Sequence, residues 1–146
     1  MPIWASPLTL DEITELSRRT ASEHVGVTFT GVGDDWLEAC MPLNERTEST
    51  PGTLHHGALA ILAETLGSVG ASMCLDLSRQ ICLGQILHLQ HPIAAARGPL
   101  CGRASPLSIG ELSQLWETRI RDGTGALVCI AQLTLAVLDR PATARA

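Results

Sequence analysis

Positive charge and aromatic side chains are both scarce in this chain. Its 146 residues carry ten Lys and Arg against fifteen Asp and Glu, a net charge of −5. A nucleic-acid binder needs a basic stripe to meet phosphates, and a polybasic membrane anchor needs clustered cations. The sequence offers neither. Aromatic residues make up 3%, with no tyrosine, one phenylalanine and three tryptophans. Trp4, Trp36 and Trp116 therefore read as core or interface residues rather than base-stacking platforms. No positively charged start leads into an apolar stretch, so no signal peptide is expected. The five cysteines, Cys40, Cys74, Cys82, Cys101 and Cys129, are odd in number and include no C-x-x-C. They read as reduced, mostly buried thiols of a cytoplasmic protein. There is no G-x-S-x-G elbow for a serine hydrolase. Gly67 and Gly70 fit neither a P-loop nor a dinucleotide fingerprint, and their spacing suits close helix packing.

At this length one domain is expected over residues 1–146, and 45% hydrophobic residues suffice to fill its core. The feature that stands out is Glu64. It is the only formal charge between Ser49 and Leu75, in the middle of an apolar run from Leu54 to Cys74. Burying an ionised carboxylate is costly unless it is paired, and no Lys or Arg lies within a helical turn of it. A lone acid in that setting reads as a base or nucleophile at a cleft or interface. The alternative is a helix carboxylate that reaches water at the edge of the packing. The run from Gly57 to Leu75 is near the length of a membrane span. Its Ala, Gly and Ser content and Glu64 favour a helix wrapped by protein.

Around this helix the pattern predicts a short amphipathic helix over Leu8–Arg19, with Thr9 as N-cap and Glu12 completing a capping box. A strand carrying Val25, Val27 and Phe29 and a second over Trp36–Pro42 form a hairpin. A polar loop follows over Asn44–Thr53, then the long helix from about His56 to Leu75. Strands over Ile81–His91, Leu100–Pro106, Leu112–Arg121 and Ala126–Leu138 then form a four-strand meander. Trp116, Thr118 and Ile120 are expected to face inward, with Glu117, Arg119 and Arg121 outward. Asp122-Gly123-Thr124-Gly125 marks a hairpin turn, and residues 140–146 a frayed tail. One long helix against one six-stranded antiparallel sheet is an α+β arrangement. His55-His56 and His88-x-x-His91 invite a metal reading. Three residues apart on a strand, His88 and His91 point to opposite faces, so no metal or cofactor site is expected.

Three blocks carry a resemblance. The first is Gly33-Asp34-Asp35-x-Leu37-Glu38-Ala39-x-Met41-Pro42. The second is Leu54-His55-x-Gly57-Ala58 with Leu62-Ala63-Glu64-Thr65-x-Gly67-Ser68. The third joins Pro106-Leu107-x-x-Gly110, Gln114-x-Trp116 and Arg121-Asp122-x-x-Gly125-x-Leu127-Val128-Cys129. The chain resembles hotdog-fold thioesterases of the 4-hydroxybenzoyl-CoA and phenylacetate-degradation type. It is most similar to the branch that hydrolyses 1,4-dihydroxy-2-naphthoyl-CoA or proofreads aryl carrier proteins. The resemblance implies a hotdog fold assembling as a homodimer, a double hotdog with two interfacial sites, and a homotetramer of such dimers. It implies hydrolysis of an acyl or aryl thioester of coenzyme A or a carrier protein. Glu64 would be nucleophile or general base. The amides of His56 and Gly57 would hold the oxyanion, and His55 and Ser68 would orient substrate or water. Ser49, Met73, His91, Arg97 and Arg103 would contact substrate.

Three departures from the family pattern qualify this reading. His56 replaces a glycine. Ser49 stands where close relatives carry a glutamine. Ile93 and Leu112 occupy positions where relatives often have a basic residue, leaving Arg97 and Arg103 as substitutes for phosphate contact. These departures motivate an alternative, a non-catalytic acyl-thioester-binding module on the same dimer.

Overall fold

The computed structural model describes residues 1–92 and 96–142. Helix α1 (Leu10–Leu16) starts at Thr9, whose hydroxyl accepts the Glu12 N–H (3.2 Å), while the Glu12 carboxylate accepts the Thr9 N–H (2.8 Å). This is the expected reciprocal cap. The helix ends earlier than the sequence suggests. Arg19 takes a positive φ of 62°, and a short second helix, α2 (Ala21–His24), follows. The expected strand therefore begins three residues later, as β1 (Thr28–Val32), hairpinned to β2 (Leu37–Met41). The polar loop holds a miniature hairpin, β3 (Glu48–Thr50) with β4 (Thr53–Leu54).

Helix α3 (His56–Met73) is the spine of the fold. Among the described residues no helix is long and apolar enough to cross a membrane. The helix packs against β2 and against the strands β5 (Gln80–Gln90), β6 (Leu100–Ile109), β7 (Ser113–Arg121) and β8 (Leu127–Asp139). Its small residues allow this. A Cβ on Gly67 would lie 2.8 Å from the Leu133 side chain, and one on Gly70 would lie 2.7 Å from the Trp116 ring. Close packing is thus the use of both glycines.

The six long strands form one antiparallel sheet in the order β1-β2-β6-β7-β8-β5. This corrects the meander. β5 pairs with β8 at one edge, and the chain then crosses to lay β6 beside β2. The β7 alternation is as expected: Trp116, Thr118 and Ile120 are buried and Arg119 and Arg121 exposed. Trp116 is fully buried. It stacks on Trp4 with ring centroids 6.2 Å apart, and its indole N–H donates to buried Gln114 (2.8 Å). Gln114 in turn donates to the Ala71 carbonyl (3.3 Å), so the buried amide is satisfied on both sides.

A second correction concerns the cysteines. Cys40 and Cys101 stand opposite each other across β2 and β6, with Cα atoms 4.0 Å apart, and form a disulfide. Only Cys74, Cys82 and Cys129 remain free. The two partners are 61 residues apart, and only the crossover brings them into register. The first residue of the expected frayed tail is tied down. Arg140 donates its backbone N–H to Arg79 O (2.8 Å) and its Nε to Leu77 O (3.0 Å), while residues 143–146 lie outside the described part.

Candidate active site

The half-buried Glu64 carboxylate leaves α3 on the side facing β5. Ser68, one turn on, donates its hydroxyl to Glu64 Oε1 at 2.5 Å. Gly84 of β5 closes the other side, where a Cβ would lie 3.4 Å from the same oxygen. The β5–β8 register slips at this point, between Gly84 and Ile86. A bulge of this kind interrupts strand pairing locally, and here it does so beside the carboxylate.

Two clefts flank Glu64. One, of about 390 Å³, lies between α3 and the N-terminal helices. Leu8, Ile13, Leu16, Val69 and Leu77 form its apolar wall, and hydroxyls of Ser17, Thr20, Thr65, Ser68 and Ser72 punctuate it. The other, of about 430 Å³, runs past Ile61 and Leu87. The contribution of residues 8–22 to this site was not visible in the sequence, where they read only as an amphipathic helix. The apolar face of α1 was the one available signal. A hydrogen bond between the Ser22 and Thr65 hydroxyls (2.6 Å) pins this segment to α3.

Two turns before Glu64, His55 caps α3 with extended backbone. The first helical bonds run from the Ala58 and Leu59 N–H groups to the His55 carbonyl (3.0 and 3.4 Å). The His56 and Gly57 amides precede these bonds, at the positive end of the helix dipole. His56 does not need a glycine-only conformation, since among the described residues only Arg19, Gly26, Gly52 and Gly125 have positive φ. Gly57 is needed for another reason. A Cβ there would lie 2.8 Å from the His55 ring, which folds over the first turn. His91 joins this corner, its ring centroid 5.7 Å from that of His56.

The remaining predicted contacts are placed elsewhere. Ser49 is exposed in the β3–β4 hairpin, its hydroxyl donating to Thr53 O (3.4 Å). Met73 is fully buried in the core at the far end of α3. Arg103 lies on the outer face of the sheet. There it pairs with Glu38 (3.0 Å) and covers the Trp36 ring at 4.1 Å. Ile93 lies outside the described residues. Arg97 is exposed in the loop before β6, its N–H donating to Asp122 (3.0 Å). His88 lies in register with Gln132 on the outer sheet face, away from the His56–His91 corner. Among the described residues no cluster of three or more His, Cys, Asp or Glu could hold a metal.

Cys82 lies within this region, its thiol 3.3 Å from the Ser72 hydroxyl. Burial pushes its pKa up, the Ser72 hydrogen bond partly opposes that, and the charge of Glu64 adds to it. Burial likewise raises Cys74 and Cys129 to about 11. Free thiols held in the protonated form are weak nucleophiles. Asp122 behaves in the opposite way. Hydrogen bonds from Thr124, Arg97 and Ala126 hold its carboxyl down at about 2. A lowered folded-state pKa stabilises the fold above the unfolded value, and the gain is lost as pH falls towards the folded value. Stability is therefore expected to decline between about pH 4 and pH 2 through this group. Acid titration of Asp122→Asn, followed by circular dichroism, should show a shallower decline. An unchanged slope would discount the turn.

The chain and its fold are similar to those of known proteins. A family model described as the thioesterase superfamily matches residues 51–129, which include α3, Glu64 and most of the sheet. The chain belongs to the thioesterase superfamily. It is 40% identical over 136 residues to the proofreading thioesterase EntH of Cronobacter sakazakii, covering 93% of this chain and 98% of that one. The structure of thioesterase HI1161 from Haemophilus influenzae matches with a TM-score of 0.89 at 34% identity, covering 94% of this chain and 95% of that one. A mutant of thioesterase PA1618 from Pseudomonas aeruginosa matches with a TM-score of 0.91 at 30% identity, covering 94% and 99%. The fold is the hotdog fold, a central helix wrapped by an antiparallel sheet.

Proposed function

We propose that this thioesterase-superfamily protein hydrolyses an acyl or aryl thioester of coenzyme A or a carrier protein, with Glu64 as nucleophile or general base. The observation that carries the reading is the Glu64–Ser68 pair at the junction of two clefts, on a helix with no other charge. A thioester carbonyl is already electrophilic. What hydrolysis needs is a base or nucleophile and donors for the developing oxyanion. The apolar cleft behind α1 accepts the acyl group, and the thiol-bearing part leaves towards solvent. The similarity to a proofreading thioesterase supports a thioester as substrate.

The His56 and Gly57 amides would hold the oxyanion, with His55 orienting the carbonyl. Within one chain they are about 10 Å along the helix from Glu64, and its carboxylate turns the other way, towards Ser68. Both sets of groups need to come within about 3 Å of one carbonyl. We therefore place the amides of one subunit opposite Glu64 of a second. Strand β5 suits that assembly. It is an 11-residue edge with a partner on one side only, exposing Leu83 and Ile86 beside the Glu64 bulge. Long apolar edges of this kind pair with another chain.

The direct test is thiol release from a panel of aryl- and fatty-acyl-CoAs and from acylated carrier protein. Turnover on at least one class is expected. Saturable binding with no turnover on any would favour the non-catalytic module instead. Ser68→Ala should lower kcat about 10- to 100-fold with KM little changed, the range a hydrogen bond to a charged group spans. An unchanged kcat would reduce Ser68 to packing.

A further inference from the structure

The sheet face turned away from α3 holds reactive groups that chemistry at Glu64 does not use. Glu38, Cys101, Arg103, Ser105, Glu117, Arg119 and Arg121 project from β2, β6 and β7 into a groove of about 420 Å³ on that face. Cys101 is one half of the disulfide and only half-buried. In the sheet register it stands directly opposite Arg121. The charges of the groove do not cancel. Arg103 is paired with Glu38 (3.0 Å) and Arg119 with Glu117 (2.9 Å). Arg121 has no carboxylate partner among the described residues and donates only to Gly125 O (3.2 Å). The uncompensated positive charge therefore belongs to the register partner of Cys101 and lines the same groove.

Two general effects follow from that placement. A guanidinium beside the attacked sulfur draws the incoming thiolate towards that sulfur. The same guanidinium attracts incoming carboxylate or phosphate. A disulfide that opens by exchange is also the kind compatible with a reducing compartment, where such bonds are transient or redox-sensing.

We propose that Cys40–Cys101 is an exchange site for small anionic thiols, with Arg121 selecting their negative charge. The incoming thiolate attacks the Cys101 sulfur and forms a new S–S bond. The Cys40–Cys101 bond breaks, its electron pair leaves on the Cys40 sulfur, and that thiolate takes a proton from water. One mixed disulfide and one free thiol result, and no oxidant is consumed. The proposal stands independently of the role of Glu64.

The test uses protein purified without reductant, in which three of the five cysteines should titrate as free thiols. It is treated at equal thiolate concentration with glutathione, coenzyme A or cysteamine, and followed by intact mass and peptide mapping. Adducts are expected on Cys101. Both anionic thiols should react about fivefold or more faster than cationic cysteamine at low salt, and this preference should shrink as salt screens the charge. Arg121→Gln should abolish most of the preference while leaving the disulfide in place. The ratio of the glutathione and coenzyme A rates tells carboxylate from phosphate as the favoured anion. Cys101→Ser, outside the Glu64 clefts, should lose the adduct and keep hydrolysis. Five titratable thiols at the outset would overturn the proposal. So would adducts only on Cys74, Cys82 or Cys129, or rates indifferent to thiol charge.

Discussion

Glu64→Gln is expected to lower kcat for thiol release by about 10²- to 10⁴-fold, the range general-base catalysis contributes. The amide keeps the size of the carboxylate and still accepts the Ser68 hydroxyl, so the cleft should hold its shape. What it loses is the ability to take a proton from water or to attack the carbonyl. It also removes a half-buried charge that has no cationic partner on its helix. Thermal stability should consequently stay level or rise while activity collapses, which separates loss of chemistry from loss of fold. Product release and melting temperature, measured on one preparation, decide the matter. Turnover preserved in Glu64→Gln would move the chemistry elsewhere, and a parallel fall in melting temperature would make Glu64 structural. Single-turnover trapping of an acyl adduct on Glu64 would favour the nucleophile over the base.

Trp116→Ala is expected to cost about 3–5 kcal/mol of stability, the range for removing a fully buried large aromatic. Three sets of contacts depend on this ring. It fills the space that Gly70 leaves open on α3, it stacks on Trp4, and its N–H satisfies the oxygen of buried Gln114. The truncation therefore opens a cavity and orphans a buried polar atom at once. Trp4 is itself anchored by its N–H bond to Gly33 O (2.8 Å). Denaturant unfolding should show the midpoint falling with the m-value preserved. A loss below about 1 kcal/mol would mean that the helix collapses onto the sheet without cost. Trp116→Phe, which keeps most of the volume but not the donor, separates the cavity from the orphaned amide.

Much of the molecule was legible from residue order. The α1 cap was legible because Thr9 and Glu12 satisfy each other within four residues. The two faces of β7 were legible because side-chain direction alternates with a period of two. Glu64 was conspicuous because an unpaired charge in an apolar run has few inexpensive explanations. His56 illustrates the boundary. From sequence its tolerance depended on an unknown dihedral, and the first turn of α3 resolves that with ordinary helical backbone. The surroundings of Met73 and Arg103, one in the core and the other on the far face of the sheet, were not legible from residue order.

The chain's own order of residues therefore determined the six long strands, the α+β class, the long central helix and the identity of its single carboxylate. Each of these rests on local periodicity, capping or the cost of burying charge, and all act over a few residues. Tertiary structure alone decided the sheet order, the Cys40–Cys101 bond, the packing of Gly84 against Glu64 and the apolar cleft behind α1. Each of these brings together groups tens of residues apart. Pairing partners in a sheet are chosen by how the whole set of strands covers α3, and no local pattern encodes that choice.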